Sequence, residues 1–224
     1  MTATFPGLSA AAPVSVSLAE AYARSTTFER PTLILDIDRV ETAYRDLAAG
    51  LGAAHIHYAV KANPHPNILK RLVNIGSGFD AASRREIEMC LEAGAKPADI
   101  SFGNTVKKPS DIAYAHAMGV TLYAADAEEE IAKIAVHAPG AEVYIRLLVE
   151  ASGADWPLTR KFGTTQATAL RLMDQATALG LRPVGLSFHV GSQTRDPQMW
   201  AEVLDGIAQT WNASHAAVHA LDLL

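Results

Sequence analysis

From Pro31 onward the chain alternates in a way that few folds permit. Short β-branched or aromatic runs recur about every 20 to 40 residues, with stretches rich in Ala, Leu and Glu between them. The runs are Thr32 to Ile37, His55 to Lys61, Gly78 to Ala82, Ile100 to Gly103, Thr121 to Ala124, Val143 to Leu148, Val184 to Val190 and Ala220 to Leu224. Several are apolar without alternation, as strands of a parallel sheet covered on both faces must be. Arg84 to Ala93, Ala127 to His137, Gln166 to Leu179 and Trp200 to Ala217 are among the helices predicted to cover them. No block of consecutive strands interrupts the rhythm, so the expected class is α/β, either a barrel or a doubly wound sheet.

Two segments break the pattern. Residues 1–30 hold one predicted helix, Ser17 to Arg24, and otherwise form a lead-in. Glu150 to Thr165 reads as a polar loop, and long loops in compact domains are often functional. At the other end, Ala220 to Leu224 looks like the start of a strand with nothing behind it to pair or cover it, so the chain is expected to be cut in mid-strand.

Composition narrows the partners. A formal charge of −5 with no long basic stretch argues against nucleic acid. One cysteine, Cys90, excludes an internal disulfide and fits a reducing compartment, the cytoplasm by default. No apolar stretch of membrane-spanning length and no secretory signal is seen, so no membrane association is expected.

Candidate chemistry lies at strand ends. Lys61 closes the apolar run Tyr58-Ala-Val-Lys-Ala-Asn-Pro64, where a barrel would place it on the active rim as an amine for a Schiff base; a lysine snorkelling to water fits the same position. In Gly78-Phe-Asp-Ala-Ala-Ser83, Asp80 is either a buried carboxylate needing a cation or a solvated strand-end residue. Ser83 is the predicted N-cap of the next helix, with Glu86 completing a capping box. Arg146 interrupts the apolar run Val143 to Leu148, which implies a paired guanidinium or one that reaches solvent. Leu186-Ser-Phe-His-Val-Gly-Ser-Gln193 delivers His189 and then turns through Gly191 to Ser192, with backbone N–H groups and a hydroxyl suited to a phosphate. His189 could face a flat ring, fill the core or bind a metal. No second ligand at metal spacing stands near it, so no metal is expected. Lys161, in Lys161-Phe-Gly163, reads as a loop lysine in water, and the other histidines as structural or solvated.

Taken together, in order and spacing, Tyr58 to Pro64, Gly78 to Ser83, Arg146, Lys161 to Gly163 and Ser187 to Ser192 resemble the pyridoxal-phosphate-dependent decarboxylases of basic amino acids. These have an alanine-racemase-like (β/α)8 TIM-type barrel, and the ornithine decarboxylases are the most similar group. The resemblance covers Pro31 to Leu224. It implies pyridoxal 5'-phosphate as cofactor, Lys61 as the Schiff-base lysine, His189 stacked on the cofactor ring and Ser192 on its phosphate. It places Asp80 beside the Schiff base, Arg146 toward the pyridine, and Lys161 at the subunit interface of a homodimer. The implied reaction is decarboxylation of an amino acid substrate, L-ornithine to putrescine in polyamine biosynthesis.

In that family the barrel continues into a glycine-rich phosphate loop, a strand with the acid that pairs the pyridine nitrogen, and a β-domain. None of these is in the 224 residues. The expected object is therefore a barrel incomplete at its C-terminus, residues 31–224, truncated before its last strand and lacking the second β-domain. Residues 1–30 would pack on that missing domain. The activity belongs to the parent protein, with this chain inactive alone. A diaminopimelate decarboxylase is the alternative enzyme, and a non-catalytic homologue that binds a regulatory partner is the alternative of another class. A racemase is disfavoured because Asn63 is followed by Pro64-His-Pro66.

Overall fold

The computed structural model describes residues 17–149, 154–156, 161–194, 198–216, 219 and 221–223; at 154–156, 192–194, 198, 199, 202 and 216 it describes the backbone alone. The chain divides into two compact units, Met1–Gly50 and Leu51–Leu224.

The described part of the first unit is helical. Helix α1, Leu18–Ser25, starts where Ser17 Oγ accepts the Glu20 N–H at 3.1 Å. Helix α2, Ile37–Leu51, starts where Asp36 Oδ1 accepts the N–H groups of Asp38 and Arg39. The strand expected over Thr32 to Ile37 is therefore not formed. Residues 31–36 have no ladder partner, and Leu33 is 77% exposed. A short apolar run does not by itself distinguish a strand from the lead-in to a capped helix, and Asp36 carries the missing signal.

The second unit repeats strand and helix. Its main strands are β1 His57–Ala59, β2 Gly78–Ala81, β3 Ile100–Phe102, β4 Leu122–Ala125 and β5 Glu142–Arg146, then β7 Arg182–Ser187 after a short β6 at Ala154–Trp156. They form one six-stranded parallel sheet in the order β1-β2-β3-β4-β5-β7. Between them run α3 Pro66–Asn74, α4 Arg84–Glu92, α5 Pro109–Ala117, α6 Glu128–His137 and α7 Gln166–Ala178. After β7 come β8, Ser192–Thr194, and α8, Gln198–Ala216. Strands β2 to β4 are almost wholly buried, which explains their unbroken apolar character. Phe79, Phe102, Ile100 and Ile145 on the strands and Leu72, Ile87, Ile131 and Leu172 on the helices are all at most 2% exposed. Each such burial is worth about 1.5–3 kcal/mol.

At Ser83 the predicted cap forms: its Oγ accepts the Glu86 N–H at 3.3 Å. Glu86 reaches one residue further back than a capping box requires, accepting the Ala82 N–H at 2.6 Å. The strand expected at Ala220 to Leu224 begins as a parallel bridge from Leu223 to Gly185, with the Leu186 N–H donating to the Leu223 carbonyl at 3.0 Å. A Cβ at Gly185 would stand 2.2 Å from that carbonyl oxygen, so glycine is what admits the segment. Inside the loop predicted at Glu150 to Thr165, β6 pairs antiparallel with β8, Trp156 opposite Ser192.

Among the described residues no helix is long and apolar enough to cross a membrane.

Candidate active site

Parallel strands all point their C-terminal ends the same way, so residues just past those ends collect at one rim. A flat six-stranded sheet would hold β1 and β7 roughly 24 Å apart, five intervals of about 4.8 Å. Yet residues from the ends of both strands line one cavity of about 380 Å³, whose sphere of equal volume is roughly 9 Å across. The sheet is thus curled as the arc of a barrel, and the curl brings the candidate residues together. Lys61, Asp80, Arg146 and His189 all line this cavity.

Lys61 lies in a 3₁₀ turn, Val60–Ala62, that ends β1; Val60 is buried beneath it and Lys61 itself is exposed at the mouth. Asp80, on β2, is held against Gly103, where a Cβ would fall on its carboxylate. Burial pushes its carboxyl above the usual carboxylate range, and the charges of Lys61, His57 and Arg146 pull it partly back. Asp80 is thus half-buried and attended by cations. His57, read from sequence as structural or solvated, is exposed and near enough to act on that carboxyl.

Arg146 ends β5. It neither stretches to bulk water nor sinks into the core: it is half-buried, with its guanidinium carbon 5.4 Å from the centre of the Phe162 ring. His189 follows β7 and is half-buried. Its Nδ1 accepts the Gly191 N–H at 2.9 Å, which leaves Nε2 to carry the proton of the neutral ring. Burial, then the charges of Arg146 and Lys61, hold this histidine below its ordinary value.

Two of the sequence candidates stand apart. The Ser192 side chain lies outside the described residues; its backbone enters β8. Lys161 is exposed, with its ammonium 5.4 Å from the Phe162 ring, next to the cavity wall but not lining it.

The sequence reading missed Gly103, Asn104, Tyr144, Phe162 and Phe188, which also line the cavity. Position could have found three of them: Gly103 and Asn104 directly follow β3, and Tyr144 shares a face with Arg146 two residues on. Tyr144 is buried and bonded to Ser101 at 2.8 Å, and desolvation pushes its phenol up, so it stays neutral. Phe162 comes from the loop before α7, which no strand-end rule reaches.

Two cations, one carboxylate and a neutral imidazole leave the cavity formally positive, suited to a ligand bearing phosphate or carboxylate. An amine at the mouth offers a covalent anchor to an aldehyde, and His189 and the phenylalanines offer flat faces to an aromatic ring. The residues present fit pyridoxal phosphate. Among the described residues no cluster of three or more His, Cys, Asp or Glu could hold a metal ion.

Comparison with known proteins agrees with this geometry. Residues 37–224 match the model of the pyridoxal-dependent decarboxylase family, pyridoxal binding domain. The decarboxylase flvG of Aspergillus flavus is 36% identical over 194 residues, 87% of this chain and 46% of that protein. A lysine/ornithine decarboxylase of Selenomonas ruminantium is 35% identical over 194 residues, 86% of this chain and 49% of its own length. Among solved structures, the lysine/ornithine decarboxylase of Vibrio vulnificus complexed with cadaverine superposes with a TM-score of 0.82 at 29% identity, covering 93% of this chain and 56% of that one. The structure of SrLDC in complex with PLP and cadaverine gives 0.83 at 32%, covering 92% and 52%. The chain spans about half the length of the relatives it matches.

Proposed function

This chain belongs to the pyridoxal-dependent decarboxylases, with pyridoxal phosphate as cofactor, and from that premise we propose that the protein it comes from decarboxylates a basic amino acid, L-ornithine foremost. The observation that carries the proposal is the single cavity shared by Lys61, Asp80, Arg146 and His189, which follow or lie on four different strands of the sheet.

When bound, pyridoxal phosphate supplies the electron sink that lets an α-carboxylate leave as carbon dioxide. Lys61 would hold the cofactor through its side-chain amine. His189, neutral and fixed by the Gly191 N–H, would stack on the flat ring and set its orientation. Asp80 shares the cavity with Lys61; with its pKa raised it would hold a proton there for exchange with the amine. Arg146 would supply positive charge toward the pyridine. Ser192 binds phosphate, and Lys161, exposed beside Phe162, pairs across the interface of a homodimer.

The run Phe79-Asp-Ala-Ala-Ser-Arg-Arg-Glu86 favours ornithine, and polyamine biosynthesis as the setting, over diaminopimelate. A partner-binding homologue would not need both Lys61 and His189, so their presence favours an enzyme. A reducing compartment, the cytoplasm, fits Cys90, whose thiol is buried and pushed up to about 12 by desolvation.

Borohydride reduction of the cofactor-loaded full-length protein, followed by peptide mapping, tests the centre of this proposal. The label is expected on Lys61 and is lost in Lys61→Ala; a label on Lys161 or Lys70 overturns the assignment. Carbon dioxide release from ornithine, lysine, arginine and diaminopimelate in parallel then ranks the substrates.

A further inference from the structure

Lys107 lies in the turn between β3 and α5, and its side chain is wholly buried. A lysine on a turn ordinarily runs its stem along the surface and keeps its ammonium in water. This one points inward, to two main-chain carbonyls and a buried carboxylate. Nζ donates to the Asn104 carbonyl at 2.8 Å and to the Ala124 carbonyl at 2.6 Å, and stands 2.9 Å from Glu130 Oε1. Glu130, in the first turn of α6, is also buried, and its second oxygen takes Lys133 Nζ at 2.5 Å. Lys133 in turn donates to the Lys107 carbonyl at 2.7 Å, so the circuit closes on the turn from which it started. One ammonium thereby ties together the β3–α5 turn, the end of β4 and the start of α6.

The turn it ties is a wall of the cofactor cavity. Asn104 lines that cavity beside Gly103, and its Nδ2 donates to the carbonyl of Ala82, itself another lining residue, at 3.2 Å. Its Oδ1 accepts the Val106 N–H at 3.2 Å. The asparagine is thus gripped at its side chain from the β2 end and at its main chain by Lys107.

We infer that the buried Lys107–Glu130 pair is a positioning device for the reaction, holding Asn104 and the β3–α5 turn in register with the bound cofactor. The inference rests on the cofactor reading of the cavity. A purely structural pair would behave differently. Replacing both members of a buried ion pair with apolar residues commonly restores stability, whereas removing one leaves an uncompensated charge. Neither replacement restores the donor to the Asn104 carbonyl, and that separates the two roles.

The test compares unmodified full-length protein, Lys107→Met and Lys107→Met/Glu130→Leu by thermal unfolding of the cofactor-free form and by titration with pyridoxal phosphate. Lys107→Met should lose both stability and cofactor affinity. The double variant should regain most of the stability, since Lys133 can turn to water, while its cofactor dissociation constant stays raised by roughly tenfold or more, the scale expected when the groups supporting a site's contacts are removed. Recovery of both properties in the double variant, or wild-type affinity in Lys107→Met, overturns the inference. Should Lys107→Met fail to fold, the double variant decides alone. Failure of the unmodified protein to bind pyridoxal phosphate would overturn the cofactor reading itself.

Discussion

His189 shows how one side chain can be legible in sequence and still gain its meaning from neighbours. The Ser187 to Ser192 run marked it with a ring, core or metal role open, and the fold sets it in one cavity with Lys61 and Arg146. Lys61, Asp80 and Arg146 were likewise found by strand-end position, because a polar residue closing an apolar run is conspicuous. Asn104 and Phe162 escaped because they interrupt no run. Two cations face His189 and burial desolvates it, so its neutral form is favoured. As acidity rises past pH 6.5 the unfolded chain takes up this proton before the native ring does, and the folded form loses stability there; above pH 6.5 both are neutral and the group contributes nothing. A His189→Phe variant, flat but without a titrating nitrogen, should lose less stability than the unmodified protein when melting is compared just below and well above pH 6.5. It should also keep more turnover than His189→Ala, whose fall in turnover should exceed its fall in cofactor affinity, since orientation rather than retention is what stacking provides. Equal pH dependence in the two forms would remove the histidine from the acid-sensitive part of the fold.

Elements were legible where burial imposes a period or an unbroken apolar run. All six strands of the main sheet fall within or beside their predicted runs, because parallel strands covered on both faces have nowhere to put polar residues. Thr32 to Ile37 looked the same and became the lead-in to α2 because Asp36 caps a helix there, a local hydrogen bond that hydrophobicity does not record. The β6–β8 ladder was hidden for a different reason, being made by two three-residue strands in segments read as loops. Between β5 and α7, Gly163 fixes the wall that Phe162 forms. It sits at φ +98°, its N–H donates to Asp126 Oδ2 at 2.8 Å, and a Cβ there would stand 2.7 Å from the main chain of Leu147. Gly163→Ala should therefore cost about 1–3 kcal/mol and weaken cofactor binding through a displaced Phe162. Gly140→Ala is the control: φ there is +77°, but open space surrounds the new methyl. Melting of both variants separates backbone strain from the clash, and equal losses would show that the approach to Leu147 is immaterial.

At the scale of the whole molecule, the cavity depends on curvature and the curvature on a sheet with two ends. Among the described residues β1 has a ladder partner only in β2, and beyond β7 only the segment at Asp222 and Leu223 has begun to pair. The site residues of both ends, Lys61 after β1 and His189 after β7, flank that interval, and Lys61 is exposed there. Unpaired N–H and C=O groups along a strand are templates for another chain. Val106 at 62% exposure, Trp200 at 46% and Leu148 at 41% add apolar surface to the same unit. The 224-residue chain, purified by itself, should consequently elute in size-exclusion chromatography as associated species larger than its 23.8 kDa. It should also shed pyridoxal phosphate during that passage, because an amine standing in water at an open mouth holds an imine that water can reach and hydrolyse. Full-length protein run on the same column should keep the cofactor. A well-behaved monomer of the 224-residue chain that retains pyridoxal phosphate and releases carbon dioxide from ornithine or lysine would show that this arc of barrel closes its own edges and needs no further chain to exclude water from Lys61.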